Sequence, residues 1–427
     1  MLKHVLFLIA AWMLLAGSAL AQDFTGYRIL RSSDMEIEAG VHYRTFELTP
    51  VSGPAGQSQR LFLIDVDPAQ GASLRLQTAL GGDGIHGAFM KTPEMAERAA
   101  SQSRVLAAVN GDFFDMRTGG PLGYLLRNGV WLALGEFPES WACGMDQEGH
   151  PLIGQPKARL LLKVLREGRV ILENEPIDAL NAPRSDDSRS SSPQNAVVAR
   201  ADNQLVLYTQ DYGTRTYTLG GVEVVLDSED EVRSNRTLQA TVRAIERPDK
   251  KDKGTEISPG TLVLSAAEGA AEKLAALRPG DQVEIYCEVS PEFADATCAI
   301  GGGRPDGGPL LIQNGEKNDL EPGKLLSDDV TYFYRRHPRT IFATRADGTY
   351  FFLLIEGNRS GSYGMPLEWA QQALLDLGAW TALNLDGGPS STMIVAWDGR
   401  LRLTTDTTGG DRRETKVGSA LLLTLTP

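Results

Sequence analysis

Short apolar runs broken by glycine-bearing turns, with few stretches of helical period, limit what this chain can fold into. Thr45-Phe46-Glu47-Leu48, Leu61 to Val66 and Leu74-Arg75-Leu76-Gln77 read as strands. Val105 to Val109, Leu160 to Leu172 around Glu167-Gly168, Asn195 to Tyr208, Gln282 to Val289, Ile341 to Thr344 and Tyr350 to Ile355 repeat the pattern. Asn128-Gly129, Asp347-Gly348 and Asp398-Gly399 turn the chain between such runs, as hairpin dipeptides do. Helical signals are fewer. Thr92-Pro93-Glu94 opens a helix to about Ser101, with Thr92 as cap, Pro93 in the first turn and Glu94 at the positive end of the dipole. Ala266 to Leu277 is a short amphipathic helix stopped by Pro279-Gly280. Pro366 opens a third, with Leu367, Ala370, Leu374 and Leu377 on one stripe and Gly378 at its C-terminal cap. Strands without regular β-α alternation predict an α+β fold with mixed sheets and few helices.

The first residues bear on the compartment. Lys3 and His4 precede an apolar run, Val5 to Leu15, and Ala19-Leu20-Ala21 has the small-x-small pattern of a signal-peptide cleavage site. The run is short for a span of roughly 20 residues. No cysteine follows the cut, and no later segment is long and apolar enough to span a bilayer. A periplasmic or secreted protein without a membrane span after cleavage is expected. Residues 22–80 are expected to form a β-rich segment that packs on a catalytic domain, residues 81–427.

Lys plus Arg number 42 against 55 Asp plus Glu, a net charge of -13. That balance argues against nucleic acid or an anionic membrane surface as the main partner, and an anionic substrate would need a local basic pocket. Of the three cysteines, Cys143, Cys287 and Cys298, the last two would close a short disulfide loop in an oxidising compartment, leaving one unpaired. Neither the cysteines nor the five histidines have zinc-site spacing. Asp and Glu offer oxygen ligands, but no spacing demands a divalent metal, so no cofactor is expected. The polar stretches 181–196 and 246–256 read as solvated loops.

Polar residues gather where apolar runs end. Thr381 to Leu385 leads into Asp386-Gly387-Gly388-Pro389-Ser390-Ser391, and Val105 to Val109 leads into Asn110-Gly111-Asp112-Phe113-Phe114-Asp115. Arg304 follows Gly301-Gly302-Gly303, Arg339 stands in His337-Pro338-Arg339-Thr340, and Glu356-Gly357-Asn358-Arg359 ends another run. Carboxylates serve as acid, base or nucleophile, and arginines bind phosphate through paired hydrogen bonds. Together they are suited to hydrolysing a bond beside an anion. Ser390 and Ser391 lack a Gly-x-Ser-x-Gly elbow and fit hydrogen bonding of their turn better than attack. Phe113, Phe114 and Trp380 fit a core, and His337 a structural role.

These motifs, in this order, resemble the phosphodiester glycosidase family. Its Asn-Gly-Gly-Phe-Phe appears at Asn110 to Phe114, its Pro-Leu-Gly and Asn-Gly hairpin at Pro121-Leu122-Gly123 and Asn128-Gly129, and its Gly-Gly-Gly-Pro, interrupted, from Gly301 to Pro309. His-Pro-Arg-Thr is intact, Asp-Gly-Arg appears as Glu356-Gly357-Asn358 with Arg359 next, and Asn-Leu-Asp-Gly-Gly-Gly-Ser-Ser appears at Asn384 to Ser391. Four departures bear on activity: Asp112 replaces glycine, Glu356 lengthens a carboxylate, Asn358 displaces an arginine and Pro389 replaces glycine. The resemblance implies a hydrolase that cleaves the sugar C1–O bond of a glycosyl-1-phosphodiester or related envelope glycan. It implies Asp386 and Glu356 as the catalytic carboxylates in either order, and Arg339 with Arg304 or Arg359 on the phosphate. Asn110, Asp112, Asn384, Ser390 and Ser391 complete the implied substrate site. A non-catalytic glycan-binding protein on the same fold, or a metal- or serine-dependent hydrolase, is the alternative.

Overall fold

The computed structural model describes residues 22–52, 58–70, 73–87, 89–134, 139–181, 203–248, 254–301, 310–320, 335–358, 361–404 and 414–425. Residues 1–21, Arg304 and Arg359 lie outside them.

Alternating side chains give each strand two faces, and most of these strands bury both. Eight strands form a first sheet in the order Tyr27–Glu38, Val41–Pro50, Gln59–Val66, Tyr350–Ile355, Arg339–Thr344, Thr381–Asn384, Leu310–Gln313, Glu316–Lys317. Five form a second: Arg400–Leu403, Met393–Trp397, Arg104–Asn110, Ser419–Leu425, Leu74–Leu80. Phe62, Phe342, Phe352 and Leu354 of the first meet Leu106, Val109, Met393 and Leu421 of the second in one core. A third, five-stranded sheet closes this core with Leu125, Cys143, Cys298 and Ile300.

Helices cover what the sheets leave. Helix α1, Thr92–Ala99, lays Met95 and Ala96 on Ala108, Ile394 and Leu422 of the second sheet. Helix α2, Glu268–Ala275, buries Ala270 and Leu274 in the core of a fourth, eight-stranded sheet whose strands lie between Arg159 and Glu288. Helix α3, Leu367–Asp376, sets Leu367, Ala370 and Leu374 on Ile341, Leu353 and Ile355 of the first sheet. These three are the α-helices among the described residues, so the fold is rich in sheet, as expected.

Several expectations change. The strands of residues 22–80 do not form a segment that packs on the rest. Three of them are members of the first sheet, with Gln59–Val66 hydrogen-bonded to Tyr350–Ile355, and the fourth pairs with Ser419–Leu425 in the second. The apolar faces of these strands need partners that only the distant C-terminal strands supply. The sheets are antiparallel rather than mixed, apart from Ala179–Leu180 against Val206–Leu207. The cap of α1 is Lys91 rather than Thr92, which is buried in the first turn. Cys287 and Cys298 are free thiols, as is Cys143. Between them the chain crosses from one sheet to another, so Cys287 enters the core of the fourth sheet and Cys298 the core between the first two.

Candidate functional site

Strand ends from the first and second sheets converge at Asn110, which is fully buried. Its Nδ2 donates to the carbonyls of Gly111 at 3.0 Å and Asp386 at 2.7 Å. Its Oδ1 accepts from Thr340 Oγ1 at 2.7 Å and from the Thr392 amide at 3.1 Å. Both amide hydrogens and the carbonyl oxygen are thus engaged by protein groups. Asn110 latches the two sheets together and sets the height of the Asp386 turn. The next residue has to be glycine for steric reasons: a Cβ at Gly111 would stand 2.3 Å from Ser419 Oγ and 2.6 Å from Ile300 Cδ1. Asp112 follows, 5% exposed. Burial, and then the Asp112 charge, push the Cys143 thiol well up.

The turn after Thr381–Asn384 is strapped to the strand Arg339–Thr344. The Leu385 amide donates to the Thr340 carbonyl at 2.9 Å and the Gly388 amide to the Pro338 carbonyl at 3.0 Å. Gly388 takes a φ of +59°, which favours glycine, and a 3-10 turn covers Gly388–Ser390. Asn384 and Ser390 are buried, and so is Ser391, whose Oγ makes no hydrogen bond. Asp386 is half-buried at the turn.

Glu356 ends the strand Tyr350–Ile355 and is 1% exposed. Its amide donates to the Arg60 carbonyl at 3.1 Å. Its own carbonyl accepts from Gln59 Nε2 at 2.5 Å and from Ser362 Oγ at 3.0 Å. Its carboxylate lies 3.1 Å from Arg60 Nε. Nearby, burial is the largest effect raising the Tyr43 phenol; a hydrogen bond with Thr404 opposes it and the Glu356 charge adds to it. Close backbone approach fixes the neighbouring loop. A Cβ on Gly357 would lie 2.8 Å from Pro338 N, and one on Gly364, at φ +83°, would lie 2.5 Å from the His337 carbonyl.

Strand parity divides the sequence-derived residues. Thr340 and Phe342 face the core between the sheets, with Leu354, and Glu356 continues that face. Ile341 and Ala343 face α3, and by the period of two so do Arg339 and Asn384. Arg339 has no exposed surface; its Nε donates to the Met365 carbonyl at 3.1 Å and its Nη2 to the Arg335 carbonyl at 3.2 Å. Burial first, then the charges of Arg339 and Arg335, lower the pKa of His337. Asn110, through its bond to the Asp386 carbonyl, and Glu356 therefore belong to the inter-sheet face. Arg339 and Asn384 start on the other.

Sequence reasoning missed Arg60, Gln59 and Ser362, and passed over Thr340 inside a motif it had found. Nothing near Arg60 marks it, since it is one charge in an alternating strand. Among the described residues, the grouping with metal-ligand chemistry is Asp146, Glu148 and His150. Asp146 Oδ1 accepts the amides of Glu148, Gly149 and His150 at 2.9, 2.8 and 2.9 Å, which makes it a turn at the far end of its strand from Ala142.

Residues 236–424 match the model of the phosphodiester glycosidase family, so the resemblance holds over that stretch. It includes Arg339, Glu356, Asn384, Asp386, Ser390 and Ser391, but not Asn110 or Arg60. No curated protein matches the chain in sequence. A hypothetical protein from Synechocystis shares the fold at a TM-score of 0.68 and 19% identity, over 94% of this chain and 68% of that one. A protein from Burkholderia pseudomallei K96243, whose name suggests export, does so at 0.67 and 18%, over 96% and 99%. The catalytic domain of zebrafish N-acetylglucosamine-1-phosphodiester alpha-N-acetylglucosaminidase aligns at only 0.42 and 13%, over 93% and 88%, which carries no residue correspondence. No described helix is long and apolar enough to cross a membrane.

Proposed function

We propose that this protein is a periplasmic or secreted hydrolase that cleaves the sugar C1–O bond of a glycosyl-1-phosphodiester. The observation that carries the reading is the shared strand end. There, on either side of the strand Arg339–Thr344, the family-matched stretch supplies a half-buried carboxylate, Asp386, and a buried one, Glu356, that is paired with a cation. The leader-like start of the chain supports the location.

Asp386 is the carboxylate with access to substrate. It acts at C1, as nucleophile or as base for water. The C1–O bond breaks and its electron pair leaves with the phosphate oxygen. Water supplies the hydroxyl that ends on C1, and its proton goes to the carboxylate. A phosphate monoester leaves well, so little acid assistance is required, and a fixed cation stabilises the charge that grows on it. Asn110 sets the position of Asp386 through its main chain rather than by touching sugar.

The test is release of free sugar from a panel of α-glycosyl-1-phosphate diesters by the wild type and by Asp386→Asn. Release by the wild type, reduced at least about 100-fold in the variant, supports the reading. Equal release by both removes Asp386 from the chemistry. Binding of the diesters without release would favour a non-catalytic glycan-binding protein, for which the departures at Asp112 and Pro389 speak.

A further inference from the structure

We propose that Arg60 is the group that grips the phosphate of the substrate, with Glu356 as the positioning residue that aims it. The substrate class rests on the reading above; the choice of residue rests on geometry. Arg60 follows Gln59 at the start of the strand Gln59–Val66, outside the stretch that matches the family model. Its side chain is 39% exposed while that of its partner Glu356 is 1% exposed. The pair is thus asymmetric, with the anion inside and the cation at the surface of the strand-end cluster.

The contact with Glu356 runs through Nε at 3.1 Å. Among the described residues the side chain makes no hydrogen bond, which leaves the N–H groups of Nη1 and Nη2 available. An arginine held by Nε keeps its end-on fork for a second partner, and that fork matches two oxygens of a phosphate. Glu356 is a rigid anchor, because its amide and carbonyl are both tied to the segments around Arg60 and Ser362. The chain carries a net charge of -13, so an anion can be collected only by a local cation with free donors. Arg339 fits that task less well, since two of its guanidinium nitrogens serve main-chain carbonyls and it has no exposed surface.

Calorimetric titration of inorganic phosphate and of α-glucose 1-phosphate into the wild type, Arg60→Gln and Arg60→Lys tests this. The wild type is expected to bind both. Arg60→Gln should weaken both by about tenfold or more, the loss of charged hydrogen bonds. Arg60→Lys should fall between, since lysine keeps the charge without the fork. Equal affinity in the wild type and Arg60→Gln, or no phosphate binding by the wild type, would overturn the proposal. Should Arg60→Gln fail to fold by circular dichroism, Arg60→Lys decides, and an affinity equal to that of the wild type overturns it. Phosphate bound through Arg60 without hydrolysis of any diester would sink the hydrolase reading and leave this one standing. Hydrolysis with Arg60→Gln affinity intact would do the reverse.

Discussion

His86 is predicted to make this fold acid-sensitive. Its ring stacks on Tyr217 with centroids 4.2 Å apart and planes 13° apart, and tilts against Tyr212 at 5.1 Å. Both ring nitrogens are buried and neither has a hydrogen-bond partner. Burial holds the pKa down at about 4, from an ordinary 6.5, against a smaller opposing pull from Asp115. Above pH 6.5 the ring is neutral in both folded and unfolded chains, and the stability it confers is fully present. As pH falls from 6.5 towards 4, the unfolded chain takes up a proton that the folded chain refuses, so stability is lost. Below about 4 both forms are protonated and the loss stops. Integrating between those limits gives an upper bound of about 3 kcal/mol, most of it spent by pH 4.5. His86→Phe keeps the stack and removes the titrating nitrogens. Urea unfolding of both proteins at pH 7, 5.5 and 4.5 measures the effect as a difference, which cancels the many carboxylates both share. The variant should match or exceed the wild type at pH 7, because two unsatisfied buried nitrogens are gone. Its advantage should then grow by about 1 kcal/mol at pH 5.5 and about 2 kcal/mol at pH 4.5. A difference that stays flat across this range would refute the argument.

Two further outcomes follow from packing. Gly111→Ala places a Cβ against Ser419 Oγ and Ile300 Cδ1 at 2.3 and 2.6 Å. It should cost about 1–3 kcal/mol in urea unfolding, by overpacking at the latch; a loss below about 0.5 kcal/mol would show that the strands there yield easily. All three cysteines are buried free thiols, with Cys287 and Cys298 held up at about 12 and Cys143 well above its ordinary value, chiefly by burial. A thiol reagent at pH 8 should therefore find none in the native protein and three after non-reducing denaturation; one after denaturation would mean that a disulfide had formed.

Local chemistry was legible in the sequence. The hairpin tips Asn128-Gly129 and Asp398-Gly399 both take positive φ, at 53° and 73° and at 51° and 71°, as such dipeptides favour. The helix from Leu367 also follows its apolar stripe. The motif residues Asn110, Glu356 and Asp386 do lie at strand ends, and Asn110 meets the main chain of Asp386. Partnership between strands was not legible. Gln59–Val66 and Leu74–Leu80 are consecutive in the chain yet belong to different sheets, and nothing in either run names a partner more than 250 residues away. That is also why Arg60 was invisible: its value comes from Glu356, which the fold brings alongside. Arg339 shows the complementary failure. Its motif was recognised, but only the register of its strand with Ile355 and the parity of its neighbours place it on the α3 face. The Cys287–Cys298 spacing suited a disulfide, and the change of sheet between the two residues undid it.

The central claim is that bond cleavage occurs at the sugar carbon and not at phosphorus. Hydrolysis of an α-glycosyl-1-phosphate diester in ¹⁸O-labelled water, followed by mass spectrometry of the phosphate monoester, tests it most directly. Attack at C1 predicts a phosphate product free of label, because its bridging oxygen leaves with it. Label in the phosphate would mean attack at phosphorus, and would contradict the assignment of Asp386 to the sugar.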